Sequence, residues 1–320
     1  MALLRRQEQV VARGSGARWS AGTQGRRRRG VARAVGLGVA AVGTLMALSG
    51  CSVGRTFGGF GWPEGVTPQA RQMYGLWVGS VVAALIVGVL VWGLIFWCVV
   101  RYRKTSDELP PQTRYNMPME ILYTVAPFLV IAILFYYTAV TQNYVDYLSP
   151  KPDTTIEVVG FQWNWKFNYL DEDAKGPDGQ PISTVGASDY IPVLVVPTNE
   201  KILFIETSND VIHSFWVPDL LFKRDVMPGL PDNQKNRFEV TIEKEGPYVG
   251  RCAELCGIYH SAMNFEVRAV SPEKYKQFIQ ARKAGMSTPE ALGAIGFDEQ
   301  HRFATTTHPF NTDPASRSAS

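Results

Sequence analysis

Four side chains with metal-binding chemistry lie within one twelve-residue stretch of the sequence. Cys252, Cys256, His260 and Met263 supply two thiols, an imidazole and a thioether there. Such soft donors are ligands of copper or zinc rather than of magnesium or calcium. The methionine favours copper, because a thioether is a weak, soft ligand that suits copper electron-transfer sites. His213 offers a second imidazole upstream, and two thiolates could bridge two copper ions.

Each of these residues also has an ordinary structural explanation. Two cysteines four positions apart and outside the cytoplasm could form a disulfide. Met263 could belong to a hydrophobic core, and His213 could be a buried histidine with satisfied hydrogen bonds. These explanations would all have to hold within one small part of the chain, so the joint pattern favours a metal site.

The residues around this stretch have the periodicity of β-strands. Apolar and polar residues alternate over 156–158, 238–242 and 264–270, and turn clusters such as Pro177-Asp178-Gly179 separate the runs. Short alternating strands with Gly/Pro turns predict an antiparallel sandwich or barrel.

The predicted β domain covers residues 143–284 and ends in one short helix over 273–283. The tail over 285–320 is rich in Ser, Thr, Pro and Ala, and we expect it to be poorly ordered.

Two apolar segments precede the β domain, at about 75–100 and 121–140. Each is long enough to cross a hydrocarbon core of about 30 Å. Residues 75–142 are therefore predicted to form a transmembrane hairpin. The loop between the segments carries Arg101, Arg103, Lys104 and Arg114. The positive-inside rule places this loop in the cytoplasm and the β domain on the outer face of the membrane.

The first fifty residues have the pattern of an export signal. Nine arginines and one acid, Glu8, give them a net charge of +8, and an apolar stretch follows from Ala34 to Leu48. The run Leu48-Ser49-Gly50-Cys51 resembles a bacterial lipobox, which predicts a lipoprotein signal peptide over 1–50 and lipidation of Cys51. Residues 51–74 then form an outer N-terminal segment.

Composition excludes two classes of protein. Aromatic residues make up 12% and hydrophobic residues 46% of the 320 residues, which excludes a chain that is disordered throughout. Four cysteines in so long a chain exclude a disulfide scaffold. The whole chain has a net charge of +3, but without residues 1–50 it carries 23 basic and 28 acidic residues and is acidic.

The chain resembles subunit II of the haem–copper cytochrome c oxidases in its two spans and in a complete C-x-E-x-C-x3-H-x2-M pattern. The resemblance implies a membrane-anchored α+β protein, with a two-helix transmembrane hairpin followed by a cupredoxin-like antiparallel β-sandwich. It also implies a dinuclear copper-A centre. The implied ligands are His213, Cys252, the main-chain carbonyl of Glu254, Cys256, His260 and Met263.

The resemblance implies further roles. The Glu254 carboxylate would bind a magnesium ion shared with subunit I, and Trp163 would be the point at which electrons enter. Glu120 would lie at the entrance of a proton pathway. On a strand, Trp163 would share one face with Trp165 and Phe167. Asn164 departs from the family pattern, which has tyrosine there, and leaves the local packing open. Cys98 receives no role.

By the same resemblance, the chain is subunit II of an aa3-type cytochrome c oxidase in the bacterial plasma membrane. It would pass electrons from cytochrome c, or from a membrane-tethered cytochrome c domain, to the haem of subunit I for reduction of oxygen to water with proton pumping. The haems would lie only in subunit I, and subunit III would be a further partner. Residues 151–270 carry 18 acidic and 11 basic residues, and an acidic cluster at 171–178 would attract a basic donor. Nucleic acid is not an expected partner.

Other classes of protein fit the sequence less well. A quinol oxidase subunit II lacks the copper ligands, and a purely structural membrane anchor would not need them. A copper chaperone with a thioredoxin-like fold would place its cysteine pair after an early strand of a βαβ unit. A copper-A nitrous oxide reductase would need a large His-rich domain, and this chain has four histidines.

Overall fold

A computed structural model describes residues 59–109 and 111–309 of the chain. The predicted signal peptide over 1–50 and the predicted lipidation site Cys51 lie outside the described residues.

Two long helices begin the described part. Helix α1 covers Pro68–Arg101 and helix α2 covers Met117–Val145, and both are long and apolar enough to cross a membrane. Both extend beyond the predicted spans because polar caps precede the apolar runs: Thr67 Oγ1 accepts a hydrogen bond from the N–H of Ala70, and Asn116 caps α2.

The hairpin is joined to the β domain at one end, where α1 begins and α2 ends. Arg71 pairs with Glu243, and Asp146 pairs with Arg224 at 2.7 Å. Just before α1, the backbone of Val66 bonds to Asp219 and to Glu243. The basic loop between the helices lies at the opposite end of the hairpin from the β domain, as the predicted topology requires.

Ten strands form the β domain in two five-stranded sheets. They are β1 (Thr154–Phe161), β2 (Asn164–Tyr169), β3 (Ser183–Val185), β4 (Val193–Pro197), β5 (Lys201–Ser208), β6 (His213–Val217), β7 (Phe222–Val226), β8 (Asn236–Thr241), β9 (Gly246–Cys252) and β10 (Asn264–Val270). The first sheet has the order β3-β2-β1-β5-β8, and the second has the order β4-β10-β9-β6-β7. Aromatic side chains fill the space between the sheets, as in the stacked pairs Phe215–Phe265 and Phe204–Phe238.

The predicted β-sandwich is confirmed, but its strands are mixed in direction rather than antiparallel throughout. Strand β1 runs parallel to β5, and β4 runs parallel to β10, while the other pairs are antiparallel. Alternation along a strand reveals which face is buried, but it carries no information on the direction of the neighbouring strand. The sandwich is therefore mixed.

The prediction of a poorly ordered tail is wrong for residues 285–309. After helix α3 (Pro272–Lys283), which confirms the helix predicted at 273–283, a further helix α4 covers Thr288–Ala294. Its Ala291 and Leu292 are fully buried in the core. The Ser/Pro composition that resembled disorder forms helix starts instead, since Ser287 and Glu290 make a capping box.

Candidate metal centre

Three neighbouring strand ends bring the predicted copper ligands together. His213 begins β6, Cys252 ends β9, and these strands pair so that Phe215 lies opposite Cys252. The loop that follows Cys252 carries Cys256 and His260 and returns to β10, which pairs with β9. Met263 immediately precedes β10, and its carbonyl accepts a hydrogen bond from the N–H of Cys252.

The two sulfur atoms have closely similar surroundings. Cys252 Sγ lies 3.9 Å from His213 Nδ1 and 3.3 Å from the carbonyl oxygen of Glu254. Cys256 Sγ lies 3.6 Å from His260 Nδ1 and 3.9 Å from Met263 Sδ. Each thiol therefore faces one imidazole nitrogen and one weaker donor, so the site has two equivalent halves.

The cysteines face each other without a covalent bond. The two Sγ atoms are 3.8 Å apart, far more than the roughly 2.05 Å of a disulfide. Among the described residues, Cys98, Cys252 and Cys256 are all free thiols. The two cysteines therefore do not form a disulfide in this structure.

The two thiols of the pair differ in how readily they lose a proton. Burial opposes ionisation of Cys252, but its hydrogen bonds with His213, with the main chain of Glu254 and Ser214 and with Cys256 together outweigh burial and lower the pKa of that thiol to about 6. Burial and the charge of Cys252 raise the pKa of Cys256 to about 12. At neutral pH the protein alone therefore holds one thiolate, and a metal ion that binds both sulfurs must displace the second proton.

His213 is held by a partner that the sequence analysis missed. Its side chain is fully buried, and its Nε2 lies 2.8 Å from Asp210 Oδ1. This contact orients Nδ1 towards Cys252 and fixes the tautomer, as carboxylates do for metal-binding histidines. The sequence signal for this contact was an acidic residue, Asp210, three positions before the histidine. Gly160 makes room, because a Cβ there would lie 2.9 Å from the ring of His213.

The donor set fits copper. His213, Cys252 and Cys256 have donor atoms within 4.8 Å of one another and are all buried, and Met263 is only 1% exposed. Zinc would use the thiols and imidazoles but would leave the buried thioether Sδ, 3.9 Å from Cys256 Sγ, without a purpose.

Trp163 lies at the metal loop, but not on a strand. It occupies the turn between β1 and β2, and Trp165 and Phe167 are the residues of the motif that share the buried face of β2. The Trp163 Nε1–H donates to the carbonyl of Cys256 at 3.1 Å. Its ring meets Tyr259 edge-on, with centroids 5.1 Å apart. The turn, rather than the strand, places this ring beside a ligand.

Gly257 permits the close approach of Trp163. Its φ of +130° is unfavourable for any other residue, and a Cβ there would lie 2.9 Å from the indole ring.

Asn164, the departure from the family pattern, packs in a different way from an aromatic side chain. Its Nδ2 donates to the carbonyl of Ala187 at 3.0 Å, and its Oδ1 accepts the N–H of Trp165. Gly186 lies against it, since a Cβ there would overlap with Asn164 Oδ1. The short side chain leaves an open cleft between the β1–β2 turn and the metal loop.

The remaining predicted residues are separate from this cluster. Glu120 lies in the first turn of α2, where its carboxylate accepts the N–H of Asn116 at 2.9 Å. Cys98 is exposed near the end of α1. The acidic cluster at 171–178 begins beyond the far end of β2, about 20 Å of strand from Trp163 at ~3.3 Å per residue, so the fold does not bring it to that ring.

The fold and the site define a class of protein: a membrane-anchored β-sandwich with a buried site for soft metal ions. Residues 154–270 match the family described as cytochrome c oxidase subunit II, periplasmic domain, and residues 56–139 match its transmembrane domain. A probable cytochrome c oxidase subunit 2 from Nocardia farcinica (strain IFM 10152) is 48% identical over 358 residues, which cover 95% of this chain and 94% of the relative. The chain therefore belongs to the cytochrome c oxidase subunit II family and is a subunit of that oxidase.

Two further known proteins are similar to this chain. Cytochrome c oxidase subunit 2 from Mycobacterium tuberculosis (strain ATCC 25618 / H37Rv) is 43% identical over 332 residues and covers 89% of each chain. A crystal structure of the periplasmic domain of subunit II of cytochrome oxidase from Bradyrhizobium japonicum is 30% identical, covers 44% of this chain and 100% of that chain, and has a TM-score of 0.38. Membership of this family excludes a thioredoxin-like copper chaperone and a nitrous oxide reductase.

Proposed function

We propose that this chain holds a dinuclear copper-A centre and uses it to pass electrons to subunit I. The observation that carries the proposal is the pair of equivalent half-sites, in which each thiol faces one imidazole and one weaker donor. The six ligands would be His213, Cys252, the carbonyl of Glu254, Cys256, His260 and Met263. When bound, the copper pair supplies one-electron chemistry.

The chain's own residues prepare this centre. Asp210 orients His213, and the strand pairing of β6, β9 and β10 fixes the positions of the ligands. Cys252, Cys256 and Met263 are each less than 9% exposed, so water is kept from the sulfur atoms. A rigid, dry set of ligands limits the rearrangement that accompanies a change of charge.

Trp163 is the proposed point of electron entrance. Its ring is partly exposed, and its Nε1–H is bonded to the main chain of the ligand Cys256. A donor that touches this ring is thereby connected to a ligand through one hydrogen bond.

The proposed donor is cytochrome c or a membrane-tethered cytochrome c domain. The outer domain has seven more acidic than basic residues over 151–270, and an acidic domain attracts a basic partner. Because the cluster at 171–178 is remote from Trp163, this attraction is proposed to act over the whole domain. The haems and the reduction of oxygen to water are assigned to subunit I, and subunit III is a further proposed partner.

Other roles remain part of the same proposal. The half-buried Glu254 would direct its carboxylate to a magnesium ion shared with subunit I, a hard cation that prefers oxygen ligands. Glu120 would serve the proton pathway as well as the capping of α2. Lipidation of Cys51 would add an anchor in the plasma membrane, with the copper domain on its outer face.

Paired substitutions in the intact oxidase test the copper centre. Cys256→Ser removes a thiolate that would hold the copper pair, so we expect the mixed-valence signal in electron paramagnetic resonance to disappear and the affinity for copper to fall by more than about 100-fold. Met263→Leu removes only a weak ligand, so we expect both copper ions to remain with a shifted reduction potential.

Metal analysis of the same proteins gives the contradicting results. A single zinc ion at this site, or a Cys252–Cys256 disulfide in the oxidase as isolated, would show that the proposed centre is wrong.

A further inference from the structure

Gln162 connects two parts of the metal site that lie far apart in the sequence. This residue begins the turn between β1 and β2. Its Nε2 donates to the carbonyl of Cys256 at 2.8 Å, and its main-chain N–H donates to Asp210 Oδ2 at 2.7 Å. One residue therefore contacts both the loop that carries Cys256 and the carboxylate that holds His213.

The carboxylate of Asp210 is one end of this connection. Its Oδ1 accepts the N–H of Val211 at 2.7 Å and lies 2.8 Å from His213 Nε2, while its Oδ2 accepts the N–H of Gln162. Because both oxygens of a carboxylate accept hydrogen bonds, this one group fixes the turn and the histidine relative to each other. The bond to Gln162 comes from the main chain, so a substitution of the glutamine side chain leaves it in place.

The main chain of a proposed ligand is the other end. The carbonyl of Cys256 accepts hydrogen bonds from Gln162 Nε2 and from Trp163 Nε1, at 2.8 and 3.1 Å, and a carbonyl oxygen has two lone pairs for two such bonds. This acceptor also determines the orientation of the glutamine amide, because only the nitrogen of the amide can donate. The two bonds together hold the peptide of Cys256 to the β1–β2 turn.

Strand pairing positions only one of the two cysteines. Cys252 ends β9, whose pairing with β6 places it beside the strand of His213. Cys256 follows in the loop before β10, beyond the end of the strand pairing. The two Sγ atoms are nevertheless only 3.8 Å apart, so contacts of the loop itself must set this distance.

We propose that Gln162 is a positioning residue for the metal centre. Its amide holds the loop of Cys256 at a fixed distance from the segment of Asp210 and His213, and it thereby keeps the two half-sites equivalent. The inference rests on the proposed copper centre. Without this amide the half-site of Cys256 would shift relative to the other half-site, and an electron would no longer be shared equally between the two copper ions.

Two amide-to-acid substitutions in the intact oxidase test this role. Gln162→Glu replaces the donor Nε2 with an oxygen that repels the carbonyl of Cys256. Asn164→Asp is the matched control, because it makes the same chemical change two positions away, where the lost donor serves the carbonyl of Ala187. Both substitutions add a negative charge near the site, so the difference between the two variants reports the hydrogen bond to Cys256.

We expect Gln162→Glu to lower the affinity for copper by about 10-fold or more, as the loss of outer contacts to metal ligands does, and Asn164→Asp to have no such effect. Competition with a copper chelator measures the affinity. In Gln162→Glu alone, the hyperfine pattern in electron paramagnetic resonance should change from that of an equally shared electron to that of an electron on one copper ion. Gln162→Leu removes the donor without adding a charge and is expected to change both measurements in the same direction.

Two results would overturn the proposal. One is an unchanged copper affinity and hyperfine pattern in Gln162→Glu; slower electron entry from reduced cytochrome c in that variant would then assign the side chain to the donor surface. The other is an equal change in Gln162→Glu and Asn164→Asp, which would report the added charge alone. Equal thermal unfolding midpoints show that the variants remain folded. A wild-type subunit that binds no copper pair would instead contradict the proposed copper centre, so the two failures are distinguishable.

Discussion

Two glutamates are fully buried in the sandwich, and their surroundings are opposite. Glu266 on β10 has Arg268 beside it and four further donors from Thr305 and Thr306. Glu206 lies on the inner face of β5, and neither of its carboxylate oxygens has a hydrogen-bond partner among the described residues. Burial raises its pKa well above the usual value, Arg224 opposes the shift, and Asp225 adds to it.

The difference shows two ways in which a folded chain accommodates a buried acid. At Glu266 the protein surrounds the carboxylate with donors, so the charge is compensated and the tail becomes part of the fold. At Glu206 the chain supplies no donor, and the acid favours its neutral form. One acid is therefore part of the architecture, and the other is a titratable group within the core.

The largest effect is expected at Glu266. Glu266→Gln leaves the buried Arg268 without its counter-charge, which typically costs about 3–5 kcal/mol. We expect the free energy of unfolding, measured by chemical denaturation in detergent, to fall by this amount and residues 297–309 to become accessible to protease. Glu290→Gln, at the exposed capping box of α4, is the control and is expected to change stability little, because glutamine also completes a capping box. Equal losses of stability in the two variants would contradict the role of Glu266 in holding the C-terminal part of the chain.

The same substitution at Glu206 is expected to have a smaller effect of opposite sign at neutral pH. Because the folded-state pKa of Glu206 is raised above 4.5, its contribution to stability is complete below that pH and is lost as the pH rises through the folded-state pKa. Glu206→Gln removes this loss, so the variant gains stability relative to the wild type as the pH rises above 4.5. Unfolding curves at a series of pH values measure this gain, and parallel pH dependences in both proteins would refute it.

The smallest effect concerns Asp210, which extends the comparison to the metal centre. Asp210→Asn keeps the shape but weakens the hold on His213, so we expect copper affinity to fall by about 10- to 100-fold. Asp298 makes the same contact with the exposed His301, at 2.6 Å, so Asp298→Asn is the matched control. Competition with a copper chelator measures both. An unchanged affinity in Asp210→Asn would assign that carboxylate a purely structural role.

The sequence was sufficient to predict two helices followed by a β-sandwich, and to place four of the proposed ligands in one short stretch. The spacing of Cys252, Cys256, His260 and Met263 is local, and a loop between two paired strands has to bring such residues together. His213 is distant in the chain, but its place at the start of a strand adjacent to Cys252 agrees with the resemblance. The two spans were also correct in type, because 18 or more consecutive apolar residues have few other uses.

The contacts that Glu266 and Arg268 make with residues 301–306 could not be predicted from the alternation along β10. The pattern over 264–270 assigns Glu266 and Arg268 to a polar, solvent-facing side, but this side is buried because residues 301–306 cover it. Periodicity describes one strand, whereas the cover comes from a segment more than thirty residues later. The prediction that Trp163 lies on a strand was wrong for a similar reason. A turn of two residues separates β1 from β2, whereas the prediction extended the alternation of β2 back to Trp163.

The bonds of Val66 give the membrane anchor a mechanical role. This residue is attached to Asp219 and Glu243 immediately before α1 begins, and Arg71 in the first turns of α1 repeats the attachment. Helix α1 has 34 residues and is therefore a rod about 51 Å long at ~1.5 Å per residue. Because this helix is attached to the sandwich at one end, a change in its tilt would be transmitted to the sandwich. A change in bilayer thickness that tilts the helix would therefore rotate the domain that carries the metal site.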